Sequence, residues 1–215
     1  TYNVDGPGTR DVPFELTDWA KGQMFGRLGM PAAYFKKAEY ENPELVAQHF
    51  NYWAPRANDN VMLRSRVSPD LGVVRGVVSE KFSKLDNDMM VESLGKILHG
   101  HDEDYGIQDF YMDHKRAHLR ITYYDMTRQV GITKDGRPDY LQVGMDIVNS
   151  EVGASSMNII ALIFRLVCSN GLRRWEREGD IFNQRHIYLK THEFQSRMLE
   201  SMSNGLHAEQ ELLEQ

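Results

Sequence analysis

The order in which hydrophobic patterns follow one another most constrains the fold of this chain. Residues 13 to 52 carry apolar side chains at helical spacing, whereas residues 60 to 85 change to Val-, Leu- and Phe-rich runs that are typical of strands. A helical stripe returns at residues 87 to 99, and further strand-like runs follow before a helical tail. Because helices and strands are segregated rather than alternating, the sequence predicts an α+β protein with an antiparallel sheet.

Capping and turn residues predict where several of these elements begin and end. Thr17 has the chemistry of a helix N-cap, and Gly29 that of a helix end. Asn42 stands before a proline, which predicts a second helix start. Residues 68 to 70 (Ser-Pro-Asp) predict the turn of a β-hairpin, and residues 134 to 137 predict another tight turn.

Three segments follow from these patterns. We predict an N-terminal helical segment over residues 1 to 58, an α+β core over residues 59 to 190 with a β-hairpin and a crossing helix, and a C-terminal helix over residues 191 to 215. A chain of 215 residues can bury a substantial core. Its single cysteine excludes an internal disulfide and suits a reducing compartment. Since no stretch has the character of a membrane span or a signal peptide, we expect a cytoplasmic protein that does not enter a membrane.

Little in the sequence points to covalent chemistry. The segment HGHDEDYG, residues 99 to 106, contains metal-ligand residue types, but no second His or Cys pair stands at zinc spacing and the pattern of a calcium loop is missing. Cys168 has no histidine nearby in sequence to act as its base, so a buried structural thiol is the favoured interpretation. The chain also lacks a phosphate-binding loop, a nucleophile elbow and a dinucleotide fingerprint. We therefore expect no enzymatic activity, no metal and no cofactor.

The net charge of −6 is unevenly distributed along the chain. Residues 80 to 113 contain nine acidic residues against three lysines. Residues 113 to 137 and residues 163 to 190 each contain six basic against three acidic residues. Basic segments with interleaved aromatic residues are typical of proteins that bind single-stranded nucleic acid, because cations neutralise phosphates and flat rings stack on bases. The alternative is that the rings are core and the arginines pair with nearby acids.

The basic segments supply the predicted binding residues. If residues 114 to 120 form one alternating strand, every second residue from His114 to Arg120 shares a face, at about 6.6 Å per step. This is close to the phosphate repeat of an extended single strand. Arg165 is a lone cation in an apolar strand, so it must either pair internally or emerge into a groove. The predicted phosphate-binding residues are Lys115, Arg116, Arg120, Arg128, Arg165, Arg173, Arg174 and Arg185, with Trp175 as the predicted stacking residue.

Three blocks of the sequence resemble one known family. The first is IVNSEVGASSMNIIALIFRLVCSNGL, residues 147 to 172, which resembles the SNSEVG…RLVCTNG block of a phage/plasmid-like domain-of-unknown-function family (number nine-three-two). The others are residues 76 to 94 and residues 16 to 38, which are similar to its strand-then-helix element and its N-terminal A…Q…RLG element. Ser169 replaces a more common threonine, and Phe82 stands where tyrosine is frequent. The resemblance implies a setting in mobile genetic elements and no established activity.

The order of elements from residue 61 onward is also similar, at the level of fold alone, to the β-β-β-α core of phage single-strand annealing proteins of the RecT/Redβ type. That similarity implies a homo-oligomer, ring or filament, that binds single-stranded DNA in a basic groove. We therefore expect a phage or mobile-element protein of the host cytoplasm that promotes strand annealing and recombination without nucleotide hydrolysis. The alternative is an acidic protein-interaction factor that inhibits or redirects a host or defence enzyme through residues 80 to 113 and the acidic C-terminal tail.

Overall fold

The computed structural model describes residues 14–57, 60–100, 104–166, 173–188, 190–193, 195–201 and 204. The chain divides into two compact units between Phe82 and Ser83. The first unit contains β1 (Phe14–Leu16), α1 (Asp18–Arg27), α2 (Ala32–Glu41), α3 (Pro43–Trp53), a 3₁₀ turn (Ala54–Arg56), β2 (Val61–Val67) and β3 (Gly72–Ser79). The second contains α4 (Asn87–Gly100), β4 (Tyr105–Met112), β5 (Ala117–Ile132), β6 (Pro138–Asn149), β7 (Met157–Leu166), β8 (Arg173–Gln184) and helical residues 191–193 and 195–201. The predicted α+β class is confirmed.

The first unit has a three-stranded sheet in the order β1-β3-β2. β2 and β3 form the predicted antiparallel hairpin, and the Ser68 hydroxyl donates to the Leu71 carbonyl at 2.8 Å within its turn. Residues 14 to 16 lie in the region predicted to be helical, and that part of the prediction is wrong. They form β1, which pairs in parallel with residues 72 to 74 of β3. A three-residue strand has no periodicity of its own, because a distant partner supplies its hydrogen bonds.

Side chains at the helix ends of this unit confirm three sequence predictions. The Thr17 hydroxyl accepts a hydrogen bond from the Ala20 amide at 3.2 Å, as an N-cap does. Asn42 does the same for the amide of Leu45 at 3.1 Å. Gly29 has a φ of 68°, the left-handed conformation that ends many helices.

Helix α1 docks on β3 through residues of the block that resembles the family's N-terminal element. Ala20 is fully buried in a cluster with Val74 and Val77. The Gln23 side-chain oxygen accepts from the Val77 amide at 2.8 Å, and the Arg27 Nε donates to the Val77 carbonyl at 3.4 Å. Because β1 reaches only to Val74, these two side chains supply backbone partners that a longer β1 would have supplied. The hairpin therefore belongs to the same compact unit as the N-terminal helices.

The second unit is a five-stranded antiparallel meander in the order β4-β5-β6-β7-β8. Its core lies on one face of the sheet, where α4 and residues 195–201 cover alternate residues of the strands. The fully or almost fully buried members of this core include Leu85, Met90, Leu94, Ile121, Tyr123, Val143, Met145, Ile147, Met157, Ile159 and Met198. The helix predicted over residues 87 to 99 is confirmed, as is the helical tail over residues 191–193 and 195–201.

The turn predicted at residues 134 to 137 is confirmed, and a second turn of this unit also contains a glycine with positive φ. Gly136 has a φ of 78° in the turn that joins β5 to β6, where the Thr133 amide donates to the Arg137 carbonyl at 2.7 Å. Gly153 has a φ of 72° in the turn that joins β6 to β7. Glycine populates this conformation without the steric penalty that a β-carbon brings.

The NSEVG sequence at the end of β6 attaches α4 to the sheet. Asn149 has no exposed surface, and its Nδ2 donates to the Leu85 carbonyl and to the Asn87 Oδ1, both at 2.9 Å. The Glu151 carboxylate accepts from the Asn87 amide at 2.8 Å, at the first turn of α4, where a negative charge also meets the positive end of the helix dipole. The buried Ser150 hydroxyl donates to the Lys115 carbonyl at 2.7 Å. This sequence is therefore architectural.

Asp113 closes the turn between β4 and β5. Its Oδ1 accepts from the amides of Lys115 and Arg116 at 2.7 and 2.8 Å. These two hydrogen bonds, helped by the positive charges of the same residues, lower the pKa of the Asp113 carboxyl below its usual value. The turn ends β4 at Met112 and starts β5 at Ala117, so residues 114 to 120 do not form the single alternating strand predicted from the sequence.

Replacing Asn149 by alanine should lower the free energy of unfolding by about 2 kcal/mol, because the buried Leu85 carbonyl then loses a partner that water cannot replace. Chemical denaturation followed by circular dichroism measures the change. Asn51→Ala, on the exposed side of α3, is the matched control and should stay within about 0.5 kcal/mol of the parent. Equal effects of the two substitutions would contradict the anchoring role of Asn149.

Replacing Asp113 by alanine should destabilise the protein slightly at neutral pH and have less effect in acid. The folded pKa lies below the unfolded one, so the carboxylate contributes stability above about pH 4 that is lost as the pH falls through the folded value. The effect should amount to a few tenths of a kcal/mol, because the group is exposed and screened.

Denaturation of the parent and the Asp113→Ala variant between about pH 6 and about pH 2 measures whether their free energies of unfolding become equal in acid. Asp113→Asn is the control: its amide oxygen accepts without titrating, so its difference from Asp113→Ala should persist in acid. If the difference in the free energy of unfolding between the parent and Asp113→Ala grew in acid, the lowered pKa of Asp113 would be contradicted.

Candidate nucleic-acid interface

Strand register brings three predicted binding residues into one row across the larger sheet. Arg128 of β5 pairs with Leu141 of β6, Leu141 pairs with Arg165 of β7, and Arg165 pairs with Arg174 of β8. Directly paired residues of antiparallel strands share a face of the sheet. The backbone positions of Arg128, Arg165 and Arg174, which we call the arginine row, therefore lie on one face at one end of the sheet. The sequence alone placed Arg128 in one basic segment, residues 113 to 137, and Arg165 and Arg174 in another, residues 163 to 190.

Trp175 and Arg173 occupy the same end of the sheet but the opposite face, because side chains alternate along a strand. Trp175 pairs with Phe164, and Arg173 pairs with Leu166. The two aromatic residues thus hold cross-strand neighbouring positions. Phe164 was not among the predicted residues, since only the register of β7 and β8 shows that it stands opposite Trp175.

The turn that joins β5 to β6 adds two further cations to this end of the sheet. Lys134 and Arg137 are both exposed and flank Gly136. Counted over residues 127–139, 163–166 and 173–176, the end carries six basic and three acidic residues. The local charge of +3 contrasts with the −6 of the whole chain and favours an anionic partner.

The remaining predicted residues lie elsewhere in the larger unit. Lys115 and Arg116 are exposed in the Asp113 turn, and the Arg116 Nη2 donates to the Ala154 carbonyl at 3.2 Å. Arg185 is exposed just after β8, at the same end of the sheet as that turn. Along β6 this end is separated from the arginine row by the eight residue steps from Asn149 to Leu141, roughly 27 Å at 3.4 Å per residue. The nine predicted residues therefore do not form one surface.

Arg120 is held in an ion pair within the sheet. Its Nη2 lies 3.6 Å from the Asp146 carboxylate, which also contacts the His118 Nε2. All three side chains are largely buried, and Asp146 is directly opposite Arg120 in the register of β5 and β6. Of the cationic row predicted from His114 to Arg120, only His118 and Arg120 share a strand face, and Asp146 offsets the positive charge of Arg120. No local signal in the sequence pointed to Asp146, because it lies 26 residues from Arg120.

Other sequence hypotheses are tested only in part. Cys168 and residues 101–103 lie outside the described residues. Within the described part of the chain, no group of three or more His, Cys, Asp or Glu side chains is arranged to hold a metal ion. A helix with the length and apolar character needed to cross a bilayer is likewise not found among those residues.

Comparison with known proteins gives one match. The family described as "Domain of unknown function (DUF932)" matches residues 74–208, from β3 through the whole five-stranded sheet and into the C-terminal helical residues. No curated protein and no solved structure matches the chain. The matched range includes the NSEVG sequence and all nine predicted binding residues, while the block at residues 16 to 38 lies outside it. The match spans more than half of the sequence, so the chain belongs to the DUF932 family.

Proposed function

We propose that this protein binds single-stranded DNA at the basic end of its five-stranded sheet and promotes the annealing of complementary strands. The arginine row is the observation that carries the proposal. Adjacent strands lie about 4.8 Å apart, so the row from Arg128 to Arg174 spans roughly 14 Å, or about two phosphate spacings of an extended strand. The sheet thus places three cationic positions in one line, about 9.6 Å apart from Arg128 to Arg165 and about 4.8 Å apart from Arg165 to Arg174. An extended polyanion can contact all three positions, whereas a single small anion cannot.

The opposite face of the same sheet end has the positions suited to stacking. Trp175 and Phe164 stand beside each other across β8 and β7, and Arg173 alternates onto the same face. Aromatic rings bind single strands without regard to sequence because every base offers a flat π-face. Because β8 is an edge strand, a nucleic-acid strand that crosses this edge would meet Arg174 on one face and Trp175 on the other.

The proposed action needs no covalent step. Annealing requires that two strands be held extended with their phosphate repulsion reduced, which cations on a scaffold provide. In this proposal the protein works as a homo-oligomer, ring or filament, in the cytoplasm of a host cell, as the similarity to annealing proteins implies. Neither a nucleotide nor a metal takes part.

Replacing Arg174 by alanine should weaken binding of a fluorescent oligo-dT and lower the slope of log affinity against log salt by about 0.7, the value for one phosphate contact on a single strand. Fluorescence anisotropy at several salt concentrations measures both quantities. Arg185→Ala removes the same charge at the other end of the sheet and should leave the slope unchanged. Binding by the parent weaker than about 10 µM at low salt, or equal losses in the two variants, would overturn the proposal.

A second candidate function, docking of a protein partner, is favoured by strand β4. This strand forms the other edge of the sheet, and its Ile107, Phe110 and Met112 are each more than half exposed. It lies in the acidic segment of residues 80 to 113. Exposed apolar residues on an edge strand are a common site for a partner strand or helix.

If β4 docks a protein, a partner captured from host lysate by the parent should survive nuclease treatment and be lost from a Phe110→Ser/Met112→Ser double variant. Quantitative mass spectrometry of the captured proteins measures the loss. Tyr40→Ser, on α2 of the other unit, removes an exposed aromatic residue and should not change the capture. A partner that nuclease releases from the parent would instead indicate bridging by nucleic acid.

A further inference from the structure

One helix of the N-terminal unit presents an aromatic and basic face that lies outside the range of the family match. His49, Tyr52, Trp53 and Arg56 follow one another at i, i+3, i+4 and i+7, the spacing of a single helical face. All four residues are exposed, with fractions of 54% for Tyr52 and 46% for Trp53. The last of them stands in the 3₁₀ turn that continues α3. The sequence shows this spacing, but it does not show that the four side chains are exposed.

The side chains of this face hold one another in place. The Tyr52 and Trp53 rings meet edge to face, with centroids 5.1 Å apart and an interplanar angle of 86°. The Arg56 guanidinium carbon lies 3.9 Å from the centre of the Tyr52 ring, and its Nη1 donates to the Tyr52 carbonyl. These contacts reduce the rotamer freedom that binding would otherwise remove, so the face is preorganised for a flat ligand.

Packing of the unit accounts for only one member of this face: the His49 ring meets the ring of the buried Phe35 edge to face, with centroids 5.5 Å apart. The core contact of α3 is made by Val46, which is buried in a cluster with Phe25, Phe35 and Ala38. Arg56 at the end of the helix stabilises the negative pole of the helix dipole, which explains its charge. It does not explain why two large rings beside it remain about half exposed, since burying rings of this size is strongly favourable.

The charge of this face favours an anionic ligand. The stretch from Leu45 to Ala57 contains Arg56 and His49 and no acidic residue. A cation stacked on an exposed aromatic pair combines a phosphate contact with flat surfaces for bases, which is the chemistry by which proteins bind single strands without sequence preference. An acidic protein segment would satisfy the charge but would leave the flat rings without a matching surface.

We propose that the face formed by His49, Tyr52, Trp53 and Arg56 is a second contact site for single-stranded nucleic acid, in which bases stack on Trp53 and Tyr52 and a phosphate meets Arg56. The inference rests on the proposed function and extends it to a second site, in the N-terminal unit. It predicts that substitutions in this face lower the affinity for single-stranded nucleic acid even when the arginine row is unchanged.

Tryptophan fluorescence reports on this site directly. The chain has three tryptophans, and the double variant Trp19→Phe/Trp175→Phe keeps Trp53 as the reporter. Oligo-dT should quench the Trp53 emission, because a stacked base removes the excited-state energy. An abasic backbone of the same length, which offers phosphates without bases, should quench it little. Quenching of equal size by the two strands would overturn the stacking role.

Substitutions separate stacking from charge. Trp53→Ala should weaken oligo-dT binding on the order of tenfold with an unchanged salt slope, whereas Arg56→Ala should lower the slope by about 0.7. Tyr40→Ala is the matched control, because this residue of α2 is 93% exposed and should leave the affinity unchanged. Trp53→Phe, which keeps a flat ring, should recover most of the affinity and so excludes misfolding as the cause of the loss.

Failure of this inference is distinguishable from failure of the proposed function. If the parent binds oligo-dT and Arg174→Ala weakens it, but Trp53→Ala and Tyr52→Ala bind like the parent, the second site is overturned and the proposed function stands. If Trp53 is quenched while Arg174→Ala has no effect, the N-terminal site stands and the arginine row is overturned. If the parent does not bind any single strand and the Trp53 variant instead loses a protein partner, both proposals are overturned.

Discussion

The register of β5, β6 and β7 is the constraint on which the larger unit depends. Ile121, Met145 and Ala161 stand directly opposite one another and are all buried, and Ile121 and Met145 belong to the core that α4 and the C-terminal helical residues cover. Because side chains alternate along a strand, a slip of one residue would turn this apolar row to the other face of the sheet. The same ladder fixes the positions of Arg165 and Leu141 further along. The arginine row is thus a consequence of core packing and cannot be moved without it.

The sequence blocks that resemble the family are explained by architecture. Asn149 and Glu151 of the NSEVG sequence bind the backbone around the first turn of α4. Gln23 and Arg27 of the N-terminal block bind the backbone of Val77 in the same way. In both cases a polar side chain satisfies a backbone group that no strand or helix neighbour reaches, and its loss would leave that group unpaired. These residues therefore identify the fold, and a functional surface has to be sought among residues that the packing does not require.

Local chemistry was sufficient to predict some elements and insufficient for others. The Thr17 and Asn42 caps and the turn at Gly136 were predictable because their causes lie within four residues. The short β1 and the ion pair between Arg120 and Asp146 were not, because each depends on a partner brought near by the fold. The Asp113 turn had a local signal, an aspartate followed by polar residues. The prediction instead relied on the alternation of basic residues from His114 to Arg120. It therefore placed one continuous strand where the structure has a turn followed by β5.

Segregation of charge explains how a chain of net charge −6 can still offer a site to a polyanion. The acidic residues concentrate between residues 80 and 113, in α4, β4 and the segments beside them, while the β5–β6 turn and the β7 and β8 ends bear the basic excess. At physiological salt the Debye length is about 8 Å, shorter than the roughly 27 Å that separates the two ends of β6. If the arginine row binds a phosphate as proposed, that phosphate would be screened from charges at the far end of the sheet and would respond to the local excess. The overall acidity disfavours non-specific association between copies of the protein. The proposed ring or filament would therefore need specific contacts, or a nucleic-acid strand that offsets the repulsion.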